Sequence, residues 1–183
     1  MKAGILRSSL ALGALLSGSL LLPVVGPARA AMNIVTAKTN AGPYALTLAI
    51  GPTEHMYTMA EVKSKHIKSG EVMVSGTMVM GGSGGMAGMG GPMPNHHLEL
   101  HVLQRTTGKT VTKAMVSITV LSPAGKLVER VPIAVMYGIA QGPKDTHFGN
   151  NTILKNGKYE IAVQVNQVKA SFMVTLGAAP MSM

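Results

Sequence analysis

Asn95-His96-His97-Leu98-Glu99-Leu100-His101 gathers three imidazoles and a carboxylate in seven residues. On a strand, alternate side chains share a face, so His97, Glu99 and His101 point one way while Leu98 and Leu100 point the other. Same-face neighbours lie about 6.6 Å apart, a gap that two long side chains can close around one ion. Imidazole with carboxylate suits a divalent first-row metal. The plainer alternative is an exposed polar face on a half-buried strand. A second group lies along Val135–Asn151, with Met136 at a strand end and His147 ahead of Gly149-Asn150-Asn151. On spacing alone, Met136 is a core residue and His147 a turn residue. A third group, Glu54-His55-Met56, is chemically suited to metal, but its segment reads equally as a strand with a turn or as a short helix.

Methionine is the compositional anomaly. Fifteen occur against six Tyr and Phe, and many sit in polar or Gly-rich surroundings, where the usual gap-filling role of Met explains them poorly. Residues 81–94, GGSGGMAGMGGPMP, hold seven glycines and two prolines in fourteen residues and read as a flexible loop carrying Met86, Met89 and Met93. This stretch lacks the Gly-Lys-Ser/Thr ending of a phosphate-binding loop. Gly-x-Ser-x-Gly and HExxH are absent, there is no Cys nucleophile, and Asp145 is the only Asp. The expectation is a binding protein rather than an enzyme.

The elements that must position these residues read as β. Strands are expected at 44–50, 71–80, 97–103, 114–121, 126–134, 159–165 and 170–176. Turns fall at 106–109 and 122–125, a Gly-rich loop over 137–152, a hairpin-type turn at 155–158 and a tight connection at Asn166-Gln167. Short strands at this spacing argue for an all-β fold, an immunoglobulin-like β-sandwich of antiparallel strands with a flexible Gly/Met-rich loop.

Residues 1–30 have the three parts of a cleavable signal peptide: Lys2 and Arg7, an apolar run from Leu10 to Val25, and Ala28-Arg29-Ala30. The apolar run is shorter than the ~20 residues a spanning helix needs. Export places the mature chain, 31–183, in the periplasm or outside the cell as a single domain with a frayed tail after residue 176. Without Lys2, Arg7 and Arg29 the basic residues fall from 16 to 13 against 7 acidic ones, a net charge of +6. The lysines are scattered and have no interleaved aromatics, which argues against a nucleic-acid partner. With no Cys in the chain, a soft metal must be held by Met.

In order, His97-Leu98-Glu99-Leu100-His101, Met136, Gly142-Pro143, His147-Phe148-Gly149-Asn150-Asn151 and Gly157-Lys158-Tyr159-Glu160 resemble the periplasmic copper-binding proteins associated with high-affinity iron transport, which have an immunoglobulin-like fold. The resemblance spans about 44–176. It implies that His97, Glu99, Met136 and His147 ligate copper, as Cu(I) or Cu(II), with iron as the other candidate ion. It also implies a homodimer that works with an inner-membrane metal permease. Two features depart from the family. The Met-to-His spacing is longer, and the tight Asn166-Gln167 connection has no room for the family's C-terminal His, a place that His101, His96 or a Met from 86–93 would take. The expected role is metal uptake, delivery or tolerance. The alternative is a metal-free accessory or interaction module, for which Gly108-Lys109 and Ala114-Met115-Val116 resemble YtkA-like domains.

Overall fold

The described residues form eleven strands, most of them with period-two alternation of burial. The computed structural model describes residues 34–79 and 93–177, all within one compact unit, Ala31–Met183. The signal-peptide segment, most of the Gly/Met-rich loop and the tail beyond residue 177 lie outside the described residues. In chain order the elements are β1 (Val35–Ala41), β2 (Tyr44–Gly51), β3 (Met56–Thr58), α1 (Met59–Lys65), β4 (Glu71–Gly76), β5 (His96–Gln104), β6 (Val116–Leu121), β7 (Leu127–Val131), β8 (Ala134–Gly138), β9 (His147–Thr152), β10 (Gly157–Val165) and β11 (Val168–Leu176). They form a seven-stranded sheet, β1-β2-β5-β9-β8-β4-β3, and a four-stranded sheet, β11-β10-β6-β7.

The two sheets pack as the expected sandwich. Leu46, Leu48 and Ile50 of β2, Leu98, Leu100 and Val102 of β5, and Phe148 of β9 meet Ile118 and Val120 of β6, Ile161, Val163 and Val165 of β10, and Phe172 and Val174 of β11. Each fully buried Leu or Phe contributes about 1.5–3 kcal/mol by leaving water. This core fixes the register of β5, because a one-residue slip would turn Leu98 and Leu100 outward. It thereby fixes which way His97, Glu99 and His101 point. Tyr159 Oη donates to the Lys155 carbonyl at 2.9 Å, the tyrosine-corner contact of immunoglobulin-type sandwiches.

The connections differ from the sequence reading in five places, each for an identifiable reason. Residues 54–66 are both a strand and a helix. Thr58 ends β3 and caps α1, its side chain accepting from the Glu61 N–H while the Glu61 carboxylate accepts from the Thr58 N–H. This crossover makes β3 and β4 parallel, the exception to the antiparallel expectation. The segment 126–134 is two strands in different sheets, broken at Pro132, which has no N–H to give a ladder. Lys155–Lys158 is a corner between sheets, since β9 and β10 belong to different ones. Finally, β1 pairs along the whole of β2, although its Val-Thr-Ala-Lys-Thr-Asn-Ala gives little apolar signal.

The largest correction concerns 137–152. His147–Thr152 is not a loop but a strand in the middle of the large sheet, buried along its whole length. Gly-Asn-Asn is poor strand composition, and tertiary contacts override it. A Cβ at Gly149 would run into the Leu98 carbonyl oxygen, so only Gly lets β9 approach β5 this closely. The Asn150 Nδ2 donates to the Thr77 and Pro132 carbonyls at 2.6 and 2.9 Å, and its Oδ1 accepts from the Val79 N–H at 2.9 Å. These bonds satisfy a buried amide that would otherwise cost about 1–3 kcal/mol.

Gly149→Ala is therefore expected to destabilise the fold by about 3 kcal/mol or more, since backbone rather than a flexible side chain must give way. Gly108→Ala, at φ 67° with nothing within 4 Å, should cost only about 1–2 kcal/mol. Urea unfolding of both variants tests the contrast, and equal losses would remove the close-approach argument.

Candidate metal centre

Strand pairing decides what stands beside the β5 triplet. His97 faces Asn151 and Glu99 faces Gly149 across β5–β9. Met136 faces His147 across β8–β9. Met73 faces Met136 across β4–β8, and Glu71 faces Gly138. Met56 faces Glu71 across β3–β4. The face of the large sheet turned away from the sandwich core thus collects imidazoles, carboxylates and thioethers from five strands.

His97, Glu99 and His147 present ligand atoms that all lie within 4.8 Å of one another. His97 Nε2 is 3.9 Å from Glu99 Oε1. His147 Nε2 is 3.5 Å from Glu71 Oε2. The His97 and His147 rings meet edge-on, with centroids 6.0 Å apart.

The tautomers follow from the hydrogen bonds. The Asn151 Nδ2 donates to the Glu54 and Val79 carbonyls, both at 2.9 Å, which fixes the amide so that Oδ1 faces His97. His97 Nδ1–H donates to this oxygen at 3.0 Å. His147 Nδ1–H donates to the Asp145 carbonyl at 2.9 Å. Both neutral rings therefore carry a lone pair on Nε2, oriented by a partner on the opposite nitrogen as in metal-ligating histidines. His97 Nε2, His147 Nε2 and Glu71 Oε2 are the buried side-chain atoms without a hydrogen-bond partner among the described residues. Natural cores rarely leave such groups unsatisfied. Here two of the three are acceptor lone pairs and the third belongs to a carboxylate, and they gather in one place. A bound cation would answer this arrangement, as in part would a proton on Glu71 facing His147 Nε2.

The electrostatics agree. Burial pushes the Glu71 carboxyl up from 4.5 to about 8, helped by the negative charges of Glu99, Glu54 and Asp145. Burial and Glu99 also raise Glu54. Burial would raise Glu99 too, but a hydrogen bond from His101 and the three nearby imidazoles hold it below its ordinary value. Burial lowers His97 and His147, partly opposed by Glu99, which keeps their ring nitrogens free for a cation. Four of the chain's seven acidic residues thus crowd one face of a basic protein.

Of the residues picked out from sequence, His97, Glu99 and His147 converge. His101 stands beside them, with Nε2 3.1 Å from Glu99 Oε2 and its ring 5.1 Å from that of His147. Met136 is fully buried on the same face, packed with Met56 and Ala134 and bordered by Met73 and Met78 in a small core of its own. His147 is no turn residue, and Met136 belongs to this second core rather than to the sandwich. His96 is apart, its Nδ1 2.9 Å from Asn95 Oδ1. His55 is exposed and stacks on Tyr57. Met93 is exposed, while Met86 and Met89 lie outside the described residues. Sequence reasoning missed Glu71 and the part played by Asp145. The Glu71-Val72-Met73 alternation was a signal for Glu71, since it puts Glu71 and Met73 on one face.

Glu71 gives the metal-free protein a distinctive pH dependence. Below about 4.5 the residue is protonated whether the chain is folded or not. Between about 4.5 and 8 the unfolded chain releases a proton that the folded one keeps, so stability falls as pH rises, by up to ~1.4 kcal/mol per unit. Above about 8 the loss is constant. His97 and His147 act oppositely, with stability full above about 6.5 and lost below. Glu71→Gln should therefore stabilise the metal-free protein by a few kcal/mol at pH 8, with the gain fading toward pH 4.5. A gain that ignores pH in urea unfolding would show that Glu71 is not held as inferred.

Compared with family models, curated proteins and solved structures, the chain gives no match.

Proposed function

We propose that the protein is an exported metal-binding protein that holds copper at His97, His147, Glu99 and Glu71, with Met136 as the adjoining thioether, and that it acts in metal uptake, delivery or tolerance outside the cytoplasm. The observation that carries the reading is the convergence of three buried, unpartnered ligand atoms beside a carboxylate that couples to both imidazoles. Imidazole and carboxylate accept Cu(II) or Fe(II), whereas thioether sulfur favours Cu(I). The register His147–Met136–Met73 places both kinds of donor along one row of the sheet, which is why copper, with two accessible oxidation states, is preferred over iron. The signal-like residues 1–30 support export, and no helix among the described residues is long and apolar enough to cross a membrane.

The purified protein should bind Cu(II) at micromolar concentration or tighter. Ligand at 100 times its dissociation constant should add about 2.7 kcal/mol to stability. His97→Ala and His147→Ala should each weaken Cu(II) binding by at least ~100-fold. Met136→Leu, which roughly keeps the volume, should weaken Cu(I) by about tenfold or more and leave Cu(II) nearly unchanged. Calorimetric titration and thermal melts read all three. No copper uptake together with an unmoved melting temperature would reject the reading in favour of a metal-free module.

A further inference from the structure

The buried group does not use every donor on this face. His101 and Asp145 stand just outside it, their side chains 26% and 30% exposed. His101 Nε2–H donates to Glu99 Oε2 at 3.1 Å, an arrangement that in the neutral ring leaves Nδ1 with a lone pair. That lone pair faces Asp145 Oδ1 at 4.0 Å. The two atoms stand beyond hydrogen-bond reach, at a separation that an ion bound to both would bridge. His147 also lies within reach of this pair, but its Nδ1 is taken by the Asp145 carbonyl, so its free Nε2 belongs to the buried group. The other Asp145 oxygen is anchored by the Gly138 N–H at 3.2 Å, which holds the carboxylate in place.

We infer a second cation position at His101 Nδ1 and the Asp145 carboxylate, half open to solvent and linked to the buried position through Glu99. This inference rests on the buried site proposed above. Glu99 serves both positions: Oε1 faces His97 in the buried group, and Oε2 fixes the His101 tautomer, as carboxylates do behind metal-bound histidines. The charge count agrees, since Glu54, Glu71, Glu99 and Asp145 can balance two divalent cations, twice what one ion needs. With two protein ligands and solvent for the rest, the outer position is weak and exchangeable.

Equilibrium dialysis of the purified protein against Cu(II), raised through the range that fills the first equivalent and at least a hundredfold beyond, tests this. The wild type should take up a second, weaker equivalent. Asp145→Asn and His101→Ala should each lose that equivalent, with at least a tenfold rise in its dissociation constant, while still binding one ion. Glu99→Gln should weaken both. A wild type that stops at one equivalent means that His101 merely bridges two carboxylates as an imidazolium, and overturns the proposal. So does a second equivalent that survives both outer variants, which would mark adventitious surface binding. Absence of any bound copper overturns instead the buried site on which the outer one depends.

Discussion

The close pairing of β9 with β5 is the constraint on which the rest depends. It is possible only because residue 149 has no side chain to meet the Leu98 carbonyl. From that approach follow the registers His97–Asn151 and Glu99–Gly149, the hydrogen bond that orients His97, and the delivery of His147 to the same face. The other side of β9 sends Phe148 into the sandwich core. One strand therefore ties a polar site to an apolar core, and neither can shift without the other. Asn150 and Asn151 extend the constraint by binding the segments around Glu54 and Thr77–Val79.

The price of this arrangement is electrostatic. One carboxylate and two imidazoles are withdrawn from water with three atoms unpaired, beside the partly buried Glu99, and the sheet offers no Lys or Arg to compensate. The chain has 16 Lys and Arg, yet among the described residues none forms an ion pair with Glu71, Glu99 or Asp145. Local rules of polar satisfaction are broken at this one place and obeyed around it, the pattern expected where a site is shaped for a ligand rather than for stability. A proton on Glu71 is the substitute available without a cation, so under the proposed reading metal and proton would compete for one position.

The methionines add a second character to the same face. Met56 and Met136, with Met73 and Met78 at their border, form a core separate from the sandwich. Its thioethers are polarizable and conformationally adaptable, and they continue the row that begins at His147. The imidazoles thus come from the central strands β5 and β9, and the thioethers from β8, β4 and β3, with the Glu71 carboxylate among them on β4.

The sequence by itself determined the strands with strong alternation, the sandwich class, and the shared face of His97, Glu99 and His101, because those depend only on the period of two along one strand and on burial of Leu98 and Leu100. It also made plain that no thiol competes for a soft ion. Only the tertiary structure decided which strands became neighbours. That choice turned a loop-like His-Phe-Gly-Asn-Asn into a central strand and brought Glu71 and His147 within 3.5 Å of each other across 76 residues of chain. It also set Asp145 beside His101. Such pairings rest on long-range fits, a missing Cβ at Gly149 and amide hydrogen bonds from Asn150 and Asn151, whose energies exceed local strand propensity and leave no periodic trace in the sequence.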